Sequence, residues 1–317
     1  MANMTLVEAA KFMPVGPARG VIQTYAAASK VLIDAPVLPV SGKDFTWSLE
    51  VALPWTGTSG VRDINADFTA SFAQTNRYSS ETKTYGGKVQ VDKKIITEAP
   101  DSVAYQEAAQ IRALSNQLDI DVFEGAGGVT NNIRGFQYIL ENYEDFDTQT
   151  VNATSTDTAT ITLDMLDEAI SKVAVGPSTR IYSNNSVIRT INSLSRADVS
   201  SSMGVTRSLN EFGVYANSYG GIPMISMLDG KNANMLSTTQ ADGDANETDA
   251  QSLWIVTWAP ENATLFSSNE TRVANGVPVP KVEEETDGSN YKYFRVEWYV
   301  GLALQSIRSI ARIRYLS

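Results

Sequence analysis

Side-chain chemistry most often begins at histidine or cysteine, and this sequence contains neither. Without cysteine there are no disulfides, no thiolate nucleophiles and none of the usual structural zinc sites. Without histidine the commonest general base and the commonest metal ligand are gone. What remains is Asp, Glu, Lys and Tyr, and few of these are spaced suggestively. Asp242-x-Asp244-x-Asn246 begins like a calcium loop, but Glu247 stands where that loop needs glycine and Leu253 where it needs its bidentate glutamate. The glycines of Gly125–Gly128 are not a dinucleotide fingerprint, because Thr130 replaces the third glycine and a helical pattern precedes them where a strand is required. Arg308, Arg312 and Arg314 alternate with apolar Ile307, Ile310 and Ile313, a pattern that pairs with local carboxylates more readily than with a polyanion. No catalytic, cofactor-binding or metal-binding residue is assigned, and no cofactor is expected.

Composition narrows the field further. Apolar residues make up 43% of the 317, enough for a sizeable core. Acidic residues outnumber basic ones 36 to 25, giving a net charge of −11, and no Lys/Arg run offers a nucleic-acid footprint. An acidic, soluble surface is expected. MANMTLVEAAKFMPV lacks the basic start and apolar core of a secretion signal, so the Asn-x-Ser/Thr matches at Asn3, Asn152, Asn184, Asn246, Asn262 and Asn269 are read as accidental. No uninterrupted apolar run approaches the ~18 residues of a membrane span.

The elements that would position any surface are organised around 101–125. Ala104, Ala108, Ile111, Leu118 and Val122 recur at helical spacing, and Val103, Leu114, Ile120 and Phe123 widen the apolar surface to two sides. Asp101 or Ser102 can cap this helix, and Gly125 offers a left-handed residue to end it. At ~1.5 Å per residue it is a rod of roughly 37 Å. Before it, residues 1–40 read as an arm, with a short helix at Val21–Ile33 and a proline-spaced extended segment, APVLPVSG.

Residues 41–97 read as a very long hairpin. Phe45, Trp47, Leu49 and Val51 alternate with polar residues on the way out, and Val89 and Val91, then Ile95 and Ile96, lie on the way back. The connection between them is unusually long, yet it carries Trp55, Phe68, Phe72 and Tyr78, and aromatics seek burial. Burial against another subunit explains such a hairpin best; packing on its own body is the alternative. Trp47, Trp55, Phe68, Phe72 and Tyr78 are the subunit-interface candidates.

Residues 151–227 alternate in type: helix at Leu163–Val173, strand at Arg180–Tyr182, helix at Val187–Leu194, and strand at Ile222–Met227, whose Pro223 suits a sheet edge or a strand start. Residues 238–250 read as an exposed acidic loop, Ser252–Trp258 as a buried strand and Val277–Val282 as a strand followed by an acidic turn. Phe294, Val296, Trp298, Val300, Leu302 and Leu304 then alternate with mostly polar or small residues, the pattern of one long strand.

The order of these parts resembles the tailed-phage major capsid protein family. The match is carried by APVLPVSGKDFTW leading into a hairpin, KVQVDKKIITEAPDSV leading into a long helix, and GVTNNIRGF. TRIYSNNSVIRTINSL before YGGIPMIS, then SLWIVTWAPENATLF and YFRVEWYVGLALQSIRSIARI, extend it over nearly the whole chain. The resemblance implies an α+β Hong Kong ninety-seven-like fold. Its parts would be an N-arm (1–40), an extended loop with base strands (41–97), a peripheral domain (98–150) with spine helix 101–125, an axial α/β domain (151–265) and closing strands returning to the peripheral domain (266–317).

It further implies a structural protein, not an enzyme: many copies, as hexamers and pentamers, would enclose double-stranded DNA in a tailed-phage head, in the virion after assembly in a bacterial cytoplasm. Separate scaffolding, portal and decoration proteins would be its partners, with no sequence-specific DNA binding and no membrane. Some members cross-link an extended-loop lysine to a partner's asparagine, but no lysine lies between Pro54 and Tyr78, only Lys43 and Lys83 toward the base. No cross-linking residue is carried over, and a noncovalent shell is expected. Because the arm begins almost at once after Met1, scaffolding is expected to be a separate protein or absent. The alternatives are an encapsulin-like compartment and, third, a carboxylate- or lysine-based enzyme.

Overall fold

The computed structural model describes residues 29–52, 64–65, 67, 72–98, 101–127, 132–153, 160–197, 205–209, 215–229, 233–242, 245–248, 250–268, 272–274, 277–286 and 291–316. The strands in chain order are β1 Val37–Val40, β2 Asp44–Ala52, β3 Gln74–Glu81, β4 Lys83–Asp92, β5 Thr150–Asn152, β6 Thr179–Ser183, β7 Val205–Leu209, β8 Tyr215–Tyr219 and β9 Ile222–Ser226. They continue as β10 Thr239–Asp242, β11 Ala245–Thr248, β12 Gln251–Thr257, β13 Ala263–Ser268, β14 Arg272–Ala274, β15 Val277–Val279, β16 Lys281–Thr286, β17 Tyr291–Leu304 and β18 Ile310–Leu316. The helices are α1 Lys93–Glu98, α2 Asp101–Glu124, α3 Phe136–Asn142, α4 Leu163–Lys172 and α5 Asn185–Ala197. No helix among the described residues is long and apolar enough to cross a membrane.

Two sheets carry the architecture. In the first, β1, β13, β17 and β16 are neighbours in that order, and β4 also pairs with β17. In the second the order is β5-β18-β12-β6-β9-β8-β7. The spine, α2, lies across the inward face of the first sheet, where Phe294, Val296, Trp298, Val300, Leu302 and Leu304 share one core with Ile111, Leu118, Val122 and Phe123. Gly87 on β4 admits that close approach: a Cβ there would sit 1.7 Å from Gln110 Nε2.

The second sheet is apolar on both faces, which is why β12 reads as an unbroken hydrophobic run and is buried throughout. Trp254 and Val256 point to the spine's core, with Trp254 5.8 Å from Phe123 and 6.3 Å from Phe136 between ring centroids. Leu253 and Ile255 face a second core shared with Leu166 and Ala169 of α4 and Val187 and Ile191 of α5.

Several expectations change here. The outgoing strand 44–52 is paired by β3, within the stretch read as connection, and not by 88–96. KVQVD instead pairs with β17, from Tyr291↔Asp92 to Val300↔Lys83, and Ile95 and Ile96 belong to α1. Alternation tells which way side chains point, not which strand lies alongside. Residues 238–250 contain the two-stranded ribbon β10–β11 rather than a plain loop, and Glu283–Glu285 lie inside β16 rather than in a turn. The final strand, β18, lies between β5 and β12 in the second sheet, and its Ile310 shares the core of the spine. β9 is not an edge, since it pairs with β6 and β8, and Pro223 is its second residue.

Gly125 ends the spine without a left-handed backbone; Gly127 is the residue with φ of 64°. Glycine is required at 125 for space, because a Cβ would meet Asp121 and Ile133 carbonyl oxygens at 2.4 Å each. Of the helix expected at Val21–Ile33, residues 21–28 lie outside the described residues, and 31–34 form a turn closed by Ala35 N–H to the Val31 carbonyl, 2.9 Å.

Candidate assembly surface

The last turns of the spine carry buried carboxylates that the helical pattern alone did not single out. Asp119 is fully buried and accepts from Ser29 Oγ at 2.5 Å and from the backbone amides of Lys30 and Val31 at 2.6 and 3.4 Å. Burial pushes its carboxyl up to about 7, against the opposing pull of these donors. Asp121 accepts from Tyr85 Oη at 2.8 Å, Gln117 Nε2 at 2.8 Å and Asn132 Nδ2 at 3.0 Å, and burial raises it as well. Glu124 accepts the Ser237 amide at 2.7 Å. One helix end thereby holds the arm root, the strand β4, the loop before α3 and the loop after β9. The clue in the sequence was Asp119 and Asp121 interleaved with Leu118, Ile120 and Val122, where a solvated helix face would not bring them inward.

The arm root is fastened further along. Arg180 Nη2 pairs with Asp34 at 2.8 Å, the Leu265 amide donates to the Pro36 carbonyl at 3.1 Å, and β1 runs parallel to β13. At the far end of the chain, Arg312 is buried beneath Glu141, 2.9 Å away, with its guanidinium 4.7 Å from the centre of the Trp254 ring. Burial lowers the Arg312 guanidinium to about 10. This arginine is a brace inside the body, as the sequence pattern suggested for the basic residues there.

The hairpin β2–β3 is built differently from root to far end. At the root, Phe45 lies 5.1 Å from Phe266, Trp47 lies 6.3 Å from Tyr78, and Tyr78 stacks on Tyr143 at 4.6 Å. Tyr78 Oη and Asn76 Nδ2 both donate to Asp145, at 2.5 and 2.8 Å. Partial burial and that carboxylate push the Tyr78 phenol up to about 12. Arg134 Nη1 donates to the Ser79 carbonyl at 3.2 Å. Among the described residues beyond the root, Val51 is 40% exposed, Phe72 80% and Ile64 93%.

The interface candidates therefore separate. Trp47 is buried at 6% exposure within its own chain and Tyr78 is half-buried at the hairpin root, whereas Phe72 projects into solvent. Trp55 and Phe68 lie outside the described residues. Ile64 was not among the candidates; its neighbours Asp63 and Asn65 gave it no apolar pattern to belong to. Among the described residues, no group of three or more Asp or Glu is disposed to hold a metal ion. What this arrangement can do is fasten a two-stranded hairpin at its root while leaving the apolar side chains of Phe72 and Ile64 exposed.

No family model and no curated protein matches the chain. Solved structures do. An encapsulin complex from Synechococcus elongatus PCC 7942 matches over 100% of this chain and 97% of its own, with a TM-score of 0.61 at 12% identity. The capsid of cyanophage A-1(L) matches over 88% and 90%, with a TM-score of 0.59 at 13% identity. The capsid of an empty GTA particle matches over 92% and 90%, with a TM-score of 0.58 at 10% identity. The chain has the Hong Kong ninety-seven-like α+β fold of these shell-forming proteins.

Proposed function

We propose that this chain is a major capsid protein, many copies of which assemble noncovalently into the icosahedral head of a tailed bacteriophage around double-stranded DNA. One observation carries the reading: a hairpin fastened to its own body at the root by aromatic contacts is followed, in the stretch between its strands, by exposed Phe72 and Ile64. Exposed apolar groups on a projecting arm are explained by burial in a second copy. Each subunit would both give and receive such an arm, so that many modest contacts add up around a closed symmetric surface. Shell fold and arm together favour this over a carboxylate- or lysine-based enzyme.

Five- and sixfold rings of the axial part, residues 151–265, would make pentamers and hexamers. A net charge of −11 suits a lumen along which DNA slides without sticking. Scaffolding, portal and decoration proteins would be further partners, and the virion the final location. The encapsulin match supports a second reading, an empty compartment for protein cargo. Electron microscopy of particles from the purified protein, with nucleic acid measured by absorbance, separates the two. Closed shells are expected from the wild type, and a monodisperse monomer at tens of micromolar would overturn both readings. Boiled particles should run as one band of 34.4 kDa on a denaturing gel; a ladder of multimers would contradict the noncovalent shell.

A further inference from the structure

The outer face of β17 changes character partway along. Tyr293, Arg295, Glu297 and Tyr299 are at least partly open to solvent, and then Gly301 and Ala303 pass beneath the hairpin root. Phe266 is the cross-strand partner of Gly301, and its fully buried ring lies flat over that glycine. A Cβ at 301 would meet three atoms of the ring at 2.3, 2.6 and 2.8 Å. Gly301 is not among the positive-φ residues, so glycine serves here for space and not for backbone conformation. From Phe266 the contacts run without a gap to Phe45 at 5.1 Å, from Phe45 to Trp47 at 5.9 Å, and from Trp47 across the hairpin to Tyr78 at 6.3 Å.

We propose that Gly301 is the positioning residue that sets the angle at which the hairpin leaves the body and, through that angle, the curvature of the shell. The second half of this rests on the shell reading above; the first does not. A methyl at 301 must lift the Phe266 ring, and Phe45 above it, by about 1 Å to regain ordinary contact. Phe45 and Trp47 are two residues apart, about 6.6 Å at ~3.3 Å per residue, so such a lift tilts the strand by roughly 8°. With Trp47 as the pivot, Ala52, about 16 Å farther out, then moves by about 2 Å.

The absence of native cysteine makes the angle directly measurable. Spin labels at Thr75→Cys on β3 and Arg189→Cys on α5 report the hairpin's position relative to the second sheet in unassembled subunits. Gly301→Ala should shift the interspin distance by about 1–2 Å, since Thr75 lies opposite Glu50, and give particles of altered diameter, or open sheets. Phe266→Leu added to Gly301→Ala should restore both, because the shorter side chain leaves room for the methyl. Phe266→Leu alone keeps the test alive should Gly301→Ala fail to fold: it should let the hairpin settle toward the sheet and shift the distance in the opposite sense. An unchanged distance in the folded Gly301→Ala subunit, or in Phe266→Leu alone, overturns the proposal. Changed distances with unchanged particle diameter overturn the curvature half, and absence of particles from the wild type strikes the shell reading while leaving the angle tested.

Discussion

The two faces of β17 sit in opposite surroundings. Its inward residues, Phe294 through Leu304 at every second position, are large, apolar and pressed onto the spine. Its outward residues begin as an exposed charged row, in which Arg295 pairs with Glu297 and lies cross-strand from Glu283, and end as Gly301 and Ala303 under the hairpin. The inward side holds the sheet to the spine; the outward side seats the hairpin that we propose another subunit receives. If the proposed shell forms, changes on the inward side should act on the stability of the subunit and changes on the outward side on its assembly.

The largest effect should come from the inward side. Trp298→Ala removes a fully buried indole and is expected to cost ~3–5 kcal/mol, read as a lower denaturation midpoint or as loss of soluble subunit. A change under ~1 kcal/mol would break the division just drawn. Tyr78→Phe, at the hairpin root, deletes the hydrogen bond to Asp145 and should cost about 1–2 kcal/mol. The loss should be local, with faster amide exchange in 74–81 and little change in the spine. Arg295→Ala, in the outer row, should leave the denaturation midpoint essentially unchanged, because surface ion pairs contribute little. A marked loss would mean that this row is covered in the subunit.

The spine side also makes a pH-dependent prediction. Burial raises Asp119 from 3.8 in the unfolded chain to about 7 in the folded one. A raised folded value means the folded state binds the proton more tightly, so this contribution is complete below about pH 4 and lost as pH rises through 7. Wild-type subunits should therefore lose stability between about pH 4 and 7 more steeply than Asp119→Asn, compared by denaturant midpoint at each pH. Parallel slopes would contradict the assignment.

What the sequence made legible follows the same division. The spine, the alternation of β17, the apolar run of β12 and the order of α4, β6 and α5 could all be read because each buries a face, and burial imposes a period. β3 escaped because QTNRYSSE is open to water along most of its length and shows little period. The ribbon β10–β11 is polar for its whole length and escaped likewise. The partner of β4 was hidden for another reason: pairing with β17 spans roughly two hundred residues, and no local pattern reports it. Of the assembly surface, the aromatics were visible in kind, yet only the fold distinguishes Trp47, which the body covers, from Phe72, which it does not. The small residues at 301 and 303 read as gaps in an alternating strand until Phe266 and Phe45 occupy the space above them.

If the exposed part of the hairpin joins one subunit to the next, as proposed, Phe72→Asp should keep particles from forming. Sedimentation velocity and electron microscopy on wild type and variant at the same concentration give the answer. Closed particles are expected from the wild type, and folded subunits or small oligomers from Phe72→Asp, with an unchanged denaturation midpoint for the subunit. Particles of normal size and yield from Phe72→Asp would contradict the proposed joining.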